Sequence, residues 1–556
     1  MSTTLTITGL ELAHGARTLV TGLDLTLADG DVTALVGPNG SGKSTLMRTL
    51  VGDRAAEAGS IRLSPPGATV AWLPQELPDP AETLLAYARR RTGVEAADAE
   101  LESASAAMAS GMPGADDRYA TALERWLALG AADLDTRLPE VAARVGLDAR
   151  PDRALGSLSG GQAARASLVT VLLSRHDVLL LDEPTNDLDA RGLALVADVV
   201  RGHDGPVLIA SHDRAFLDAV ATDVVELDAA QQRVGHYTGG WSDYAAARAL
   251  DRAHAWQAYS GYAAHRDALL AQSQQRRDWA ARGRRNVATG GEPDKHIREK
   301  HLARADRQAA RGARLERAAD RLDPVAAPRK EWQLRYAIST GRPSADVVAT
   351  LSEAVVERPG FRLGPVSLAV GRGDRIALVG DNGSGKTTLL GALLGDVPLT
   401  AGRQSLGTRV SVGVVDQQRR LLDVDDHLVE VVRRELGALA GSTSAPGAPW
   451  PVADVRTLLA KFGLGASHVD RPARSLSLGE RTRALLALFQ GREVNVLVLD
   501  EPTNHLDVAA IEQLEAAVAA FGGTVLVVTH DVSLRDGIRL THEWALDRGR
   551  VSVTAR

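Results

Sequence analysis

Gly37-Pro-Asn-Gly-Ser-Gly-Lys-Ser44 decides how this chain is read, because Gly380-Asp-Asn-Gly-Ser-Gly-Lys-Thr387 repeats it. Both stretches fit G-x-x-x-x-G-K-[ST], the phosphate-binding loop. Each follows a short apolar run, 32–36 and 376–379, with the length and content of a buried strand. Each precedes a helical pattern, from Thr45 and from Thr388. The glycines let the backbone turn its N–H groups inward, which makes an anion cradle at a helix N-terminus. Lys43 and Lys386 suit the β- and γ-phosphates of ATP, and the hydroxyls of Ser44 and Thr387 suit Mg²⁺. The candidate nucleotide contacts are therefore Gly37, Asn39, Gly40, Gly42, Lys43, Ser44 and Thr45, and Gly380, Asn382, Gly383, Gly385, Lys386, Thr387 and Thr388. Lysine usage agrees: the chain has six lysines (43, 295, 300, 330, 386 and 461), and two sit in these loops.

A length of 556 residues allows roughly three or four domains, each able to bury a core. Hydrophobic residues at 44% and charged residues at 24% describe an ordinary globular protein. With no cysteine, disulfides and thiolate metal sites are excluded. The start, Met1-Ser-Thr-Thr-Leu-Thr-Ile, has no basic n-region and no long apolar run, so no signal peptide is expected. No window approaches 18 consecutive apolar residues, so no membrane span is expected either, and the expected location is the cytoplasm. The net charge of −6 argues against a chain that coats nucleic acid along its whole surface.

Beyond the two loops, the halves continue to match. Val70-Ala-Trp-Leu-Pro-Gln75 and Val412-Gly-Val-Val-Asp-Gln417 place a glutamine 32 and 31 residues after the loop lysines. Leu158-Ser-Gly-Gly-Gln162 is echoed by Leu476-Ser-Leu-Gly-Glu480. An apolar run leads into Asp182-Glu183-Pro-Thr-Asn-Asp-Leu-Asp189, and another into Asp500-Glu501-Pro-Thr-Asn-His-Leu-Asp507. A third run ends in Ser211-His212 and in Thr529-His530. Ser159 to Asp182 and Ser477 to Asp500 are both 23 residues; Asp182 to His212 and Asp500 to His530 are both 30. This is a repeat on the scale of a domain. His14 lies 23 residues before Gly37. An aromatic near that position stacks on adenine in nucleotide-binding cassettes; an imidazole could do so less strongly, or His14 is a surface turn residue.

The ordered set of phosphate loop, glutamine, L-S-G-G-Q signature, D-E-P-T-N and histidine resembles ATP-binding cassettes. Two cassettes in one chain without a membrane span, each with Asp-Glu-Pro-Thr-Asn-x-Leu-Asp, resemble the ABC-F family of ribosome-associated ATPases. The resemblance implies two α/β cassettes, 1–244 and 331–556, each with a mixed sheet core and a helical subdomain, joined by a helical linker at 245–330. It also implies site roles. Asp182 and Asp500 would hold Mg²⁺ together with Ser44, Thr387, Gln75 and Gln417. Glu183 and Glu501 would act as general bases on the attacking water, with His212 and His530 at the γ-phosphate. A buried Asp-Glu pair could instead be structural. Cassettes of this family pair head to tail, in an intramolecular sandwich within a monomer. Ser159, Gly160, Gly161 and Gln162 would then close on the nucleotide at Lys386, and Ser477, Gly479 and Glu480 on the one at Lys43. Leu478 stands where glycine is usual, and its side chain limits how closely the backbone can approach phosphate.

Two segments fall outside the repeat. Gln75 to Ser159 spans 84 residues but Gln417 to Ser477 only 60, so the first cassette carries about 24 extra residues within 90–140. They are either an elongated helical subdomain or, as the resemblance suggests, the short arm hairpin of ABC-F proteins. The linker reads as two long helices broken near Ala288-Thr-Gly-Gly-Glu-Pro293. Over 272–323, 14 Arg and Lys face 8 Asp and Glu, a local +6 that leaves −12 elsewhere. Such a charge run is either a solvated spacer with intrahelical ion pairs or a contact with RNA phosphates. Between two ABC-F cassettes the second reading is favoured, with Arg284, Arg285, Lys295, Arg298, Lys300 and Arg304 as the contacts.

The resemblance implies an ATP-switched translation factor. It would bind the ribosome at the tRNA exit site and reach toward the P-site tRNA and 23S rRNA with its linker. The L-S-L-G-E signature and the Arg-rich composition resemble actinomycete antibiotic-resistance members that protect the ribosome. The chain ends 49 residues after Asp507, which leaves no room for a sizeable C-terminal coiled coil. The alternatives are a housekeeping factor for translation or stalled-ribosome rescue, the ATPase subunit of a drug exporter, and a DNA-repair ATPase. The last would bring zinc-ligand cysteines and a very long coiled coil.

Overall fold

A computed structural model describes all residues except 1, 16, 75–78, 149, 159, 187, 229–231, 290–294, 326, 328–342 and 438–449. Its residues form two compact units, Met1–Ser242 with Gln333–Arg556, and Asp243–Trp332. The first unit contains the same architecture twice.

In the first copy the strands are β1 (Thr4–His14), β2 (Arg17–Ala28), β3 (Val32–Val36), β4 (Ala58–Ser64), β5 (Val70–Leu73), β6 (Val178–Asp182), β7 (Val207–Ala210), β8 (Asp223–Asp228) and β9 (Arg233–Thr238). In the second they are β10 (Val347–Arg358), β11 (Phe361–Gly371), β12 (Arg375–Val379), β13 (Ala401–Leu406), β14 (Val412–Val415), β15 (Val496–Asp500), β16 (Thr524–Val528), β17 (His542–Asp547) and β18 (Arg550–Ala555). The helices are α1 (Lys43–Leu50), α2 (Leu84–Arg91), α3 (Val94–Ala109), α4 (Ala115–Ala128), α5 (Leu134–Arg144), α6 (Gly160–Leu173), α7 (Ala190–Arg201), α8 (Arg214–Val220), α9 (Trp241–Thr289), α10 (Lys295–Asp320), α11 (Lys386–Leu394), α12 (Leu428–Gly437), α13 (Val452–Lys461), α14 (Ala466–Val469), α15 (Leu478–Gly491), α16 (Val508–Ala520) and α17 (Val532–Ile538).

Each copy holds a three-stranded antiparallel sheet, β2-β1-β4 or β11-β10-β13, and a six-stranded sheet. The larger sheets run β5-β6-β7-β3-β8-β9 and β14-β15-β16-β12-β17-β18, parallel except for the last strand. Runs such as Val-Thr-Ala-Leu-Val in β3 and Val-Leu-Leu-Leu-Asp in β6 are buried at every position, as strands covered on both faces must be. The small sheet alternates instead, and its inward Leu5, Ile7, Leu10 and Leu12 join the core formed by β3, β6 and α1. Strand order places the chemistry. β6, β7 and β3 are neighbours and parallel, so the residues that follow their C-terminal ends lie side by side although up to 175 residues separate them, from Gly37 to His212.

The extra residues of the first copy form the α3–α4 hairpin, seated on a small core of Val94, Ala97, Leu129 and Leu134. The second unit is an antiparallel helix pair from α9 and α10. Small residues let these helices approach closely: Ser273, Ala280 and Ala305 are buried, and a Cβ at Gly312 would lie 3.2 Å from the Ser273 carbonyl oxygen. The buried Ser273 hydroxyl donates to the Gly312 carbonyl at 2.9 Å, and Arg276 donates to the Gln308 side chain at 2.7 Å.

Candidate functional site

Gly37 has φ 153°, and a Cβ there would lie 2.5 Å from the Leu227 carbonyl oxygen; Gly380 repeats this against Leu546 at 2.3 Å. Only glycine fits, and the loop is thereby pressed against the end of the next strand. Lys43 and Lys386 begin the following helices and are buried. Lys43 Nζ donates to the Gly37 carbonyl at 2.7 Å and lies 3.2 Å from His212 Nε2. His212 Nε2 is in turn 3.2 Å from Glu183 Oε1. In the second copy Lys386 Nζ donates to the Gly380 carbonyl at 2.6 Å, lies 3.4 Å from His530 Nε2, and His530 Nε2 lies 3.5 Å from Glu501 Oε1. The lysine, histidine and glutamate named from the sequence thus converge in both copies.

The glutamates share a backbone feature that no motif announced. Glu183 has φ 53° and Glu501 φ 45°, left-handed at the end of a buried strand. Their N–H groups still donate across the sheet, Glu183 to the Ala210 carbonyl at 2.7 Å and Glu501 to Val528 at 2.9 Å. Strain held in the same form twice is a mark of a functional position. Burial raises the Glu183 carboxyl to about 8, against the opposing pull of Lys43. Burial likewise lowers Lys43, and lowers His212 well below the ordinary imidazole range with Lys43 adding to the effect. His530 is pulled down to about 4 by burial and then by Lys386.

The residues fit a metal-bound polyphosphate. Thr387 Oγ1 donates to Asp500 Oδ2 at 3.1 Å, and the Ser44 hydroxyl bonds Asp182 in the same way, a hard-oxygen pair of the kind Mg²⁺ takes with phosphate oxygens. The hydroxyls of Ser41 and Ser384 are buried and lack a hydrogen-bond partner among the described residues. Gln75 and Ser159 lie outside the described residues. Gln417 lines the cavity of the second site.

That cavity, about 1300 Å³, has Gly161 and Gln162 of the first copy on one wall and Lys386, Thr387, Glu501 and His530 on the other. The first signature and the second phosphate loop therefore face each other. The aspartates at the ends of the D-E-P-T-N-x-L-D stretches fasten this arrangement. Asp189 caps α7, takes the Arg165 guanidinium at 2.6 Å and accepts the backbone N–H of Asn382 from the opposite loop at 3.4 Å. Asp507 caps α16 and accepts the N–H of Asn39 at 3.2 Å, while the Asn39 side chain donates to the His505 carbonyl at 3.1 Å. Sequence reasoning missed these cross-copy bonds and Arg165. It also missed Arg358 and Phe361, which line the same cavity, the Phe361 ring 2.4 Å from where a Gly385 Cβ would stand. His14 is exposed at the end of β1.

The second signature opens on a capping box. Ser477 caps α15 by accepting the Glu480 N–H at 3.3 Å, and the Glu480 carboxylate reaches back to the Ser477 N–H at 2.9 Å. Glu480 also meets His468 Nε2 at 3.2 Å, so its carboxylate is engaged within its own copy. A Cβ on Gly479 would lie 3.2 Å from that of Ala510.

Comparison with known proteins matches the family described as ABC transporter to residues 20–186 and 363–504. The tylosin resistance ATP-binding protein TlrC of Streptomyces fradiae is 32% identical over 97% of both chains. The chain belongs to the ABC-F family of tandem ATP-binding cassettes. The ATP-binding protein Uup of Escherichia coli strain K12 is 31% identical over 97% of this chain and 80% of its own. The ribosome protection protein VmlR of Bacillus subtilis is 27% identical over 96% and 84%. Among solved structures, the archaeal ribosome recycling factor aABCE1, in complex with ribosomal stalk protein aP1, superposes with a TM-score of 0.56 at 18% identity over 97% of this chain and 88% of that one. The fold is thus a pair of ABC cassettes, as expected from the sequence. No helix among the described residues of this ABC-F chain is long and apolar enough to cross a membrane.

Proposed function

We propose that this ABC-F chain hydrolyses ATP at two sites between its cassettes and uses that cycle to act on the ribosome as an antibiotic-resistance factor of the ribosome-protection type. The observation that carries the reading is full-length similarity to a tylosin resistance ATP-binding protein, 97% of each chain. At each site Lys43 or Lys386 holds the β- and γ-phosphates. Glu183 or Glu501 takes a proton from the water as it attacks the γ-phosphorus, and the bond to ADP breaks on the far side. Burial suits this task, since a proton acceptor works best when its pKa lies near the working pH. His212 or His530 orients the γ-phosphate and the water. Mg²⁺ would be held through Ser44 and Asp182 or Thr387 and Asp500, with Gln75 and Gln417 as further candidate ligands, and would supply charge neutralisation at the phosphates. The opposite signature closes each site.

The linker at 245–330 carries the RNA contact, toward 23S rRNA and the P-site tRNA from the exit site. Its charge fits phosphate. The α3–α4 hairpin does not share this property: seven acidic residues face two basic ones over 94–128, so phosphate contact falls to the linker. A housekeeping role in translation is the second reading, because relatives described only as ATP-binding proteins, the Uup proteins, are as similar, at 32% and 31%. Capture of ribosomes by the Glu183→Gln/Glu501→Gln chain with ATP, followed by drug-susceptibility tests on cells expressing the wild type, separates the readings. Capture with raised resistance supports protection, capture without it supports housekeeping, and no capture removes both.

A further inference from the structure

Arg419 is fully buried in the second cassette, two residues after Gln417. Its backbone is left-handed, φ 49°, and it opens the short turn of residues 420–422. The guanidinium donates to three separate pieces of the cassette. Nη1 bonds the Gln417 carbonyl at 2.5 Å, Nη2 the Pro502 carbonyl at 2.6 Å, and Nε the Thr482 hydroxyl at 3.3 Å. Pro502 follows Glu501 directly, and Thr482 lies in the first turns of α15. The Thr482 hydroxyl donates in turn to the Leu478 carbonyl at 2.9 Å. A continuous chain of bonds therefore runs from the glutamine loop, past the glutamate, to the signature. A charged group out of water is costly unless it is bonded on every side, so these three elements cannot separate without exposing or orphaning the guanidinium.

The sequence of the first cassette carries neither side chain at the corresponding positions. Counting two residues on from Gln75 gives Leu77, and five on from Ser159 gives Ala164, where the second cassette has Arg419 and Thr482. Both members of the side-chain pair are replaced by groups without a donor or acceptor. A packing role would need only one apolar partner; a polar side-chain pair that the sequence places in one half alone points to coupling.

We propose that Arg419 is a positioning residue that locks the Gln417 loop to the signature end of α15. The γ-phosphate end of the Lys386 site and the surface offered to the Lys43 site then move as one body. Information passes from the second nucleotide to the first by this route, and the reverse path lacks it. This rests on the reading of two interfacial ATP sites given above.

The test uses the full chain in two backgrounds. Glu501→Gln leaves turnover at the Lys43 site, and Glu183→Gln leaves it at the Lys386 site. Near-normal turnover in the double Gln chain would refute the site assignment before Arg419 is considered. Thr482→Val cuts only the link to α15 and keeps the side-chain shape. It should lower kcat at the Lys43 site about fivefold or more, with KM nearly unchanged, and lower kcat at the Lys386 site much less. Arg419→Leu should lower both, because Gln417 is released too. Arg419→Lys, which keeps part of the donor set, should recover some Lys43-site turnover. Equal losses at the two sites in Thr482→Val, or an unchanged Lys43 site, would overturn the coupling. Thermal melts of each chain show that the comparison is made between folded proteins.

Discussion

Glu183 and Glu501 sit where two demands meet. Each directly follows a buried strand and is itself left-handed, a conformation that costs a non-glycine residue about 1–3 kcal/mol. What the strain secures is a carboxylate beside the histidine at the mouth of the phosphate loop. Replacing both with glutamine keeps the shape and removes the proton acceptor, so turnover should fall by about 10²–10⁴ while ATP still binds. Phosphate release measured on the purified double variant checks this, and near-normal release would reject the assignment. The pH dependence of stability gives an independent reading. Burial raises Glu183 from 4.5 to about 8, so the folded chain favours its protonated form. That contribution is fully present below 4.5 and is lost as pH rises through about 8. His212, which is lowered, acts at the other end, losing its contribution as pH falls below 6.5. Between 6.5 and about 8 the nucleotide-free wild type should therefore lose thermal stability relative to Glu183→Gln. Melting curves across that window that run parallel for the two chains would contradict the raised carboxyl.

At the scale of elements, the α15 N-terminus and the linker hairpin behave differently. The capping box of Ser477 and Glu480 satisfies two N–H groups that the helix itself leaves open. Ser477→Ala should cost about 1 kcal/mol in denaturant unfolding, and a negligible change would mean that the box does not hold in solution. The pattern S-x-x-E was present in the sequence, yet the signature motif drew attention to nucleotide instead. In the linker, the spacing of basic residues indicated a shared face, but some of the exposed arginines are engaged in ion pairs between the two helices. Arg277 meets Glu316, and Arg284 lies 3.2 Å from Asp306. Lys300 and Arg304 remain exposed. Replacing Arg284, Arg285, Arg298 and Arg304 with Gln should weaken ribosome binding and flatten its dependence on salt, with ribosome-free ATPase retained. Full affinity across a salt titration would make the linker a spacer.

The whole first unit is a head-to-tail pair held by Asp189 and Asp507 across the seam, and the two halves of that pair are not equal. Gly160-Gly161 at one interface is matched by Leu478-Gly479 at the other, and the Glu480 carboxylate is committed to its own cassette where Gln162 faces the cavity. Glu501→Gln alone, which disables the site opposite the intact signature, should therefore reduce turnover more than Glu183→Gln alone. Equal losses at saturating ATP would show that the leucine has no consequence.

The sequence by itself determined the two cassettes and where most of the candidate site residues lie, for a physical reason. Binding phosphate needs glycine where a Cβ would strike backbone, as at Gly37 and Gly380, and that requirement is written in adjacent letters. So is the run of apolar residues that ends in Asp182-Glu183 or Asp500-Glu501. Repetition at equal spacing made both unambiguous. Only the tertiary structure decided what depends on residues distant in the chain. The order β6-β7-β3 brings His212 to Lys43. The seam joins Asn382 to Asp189 over 193 residues. Arg419 reads as one arginine among many until burial leaves its guanidinium three acceptors and no water. Local motifs specify what a backbone loop must be; which side chains complete it is settled by how strands and cassettes pack.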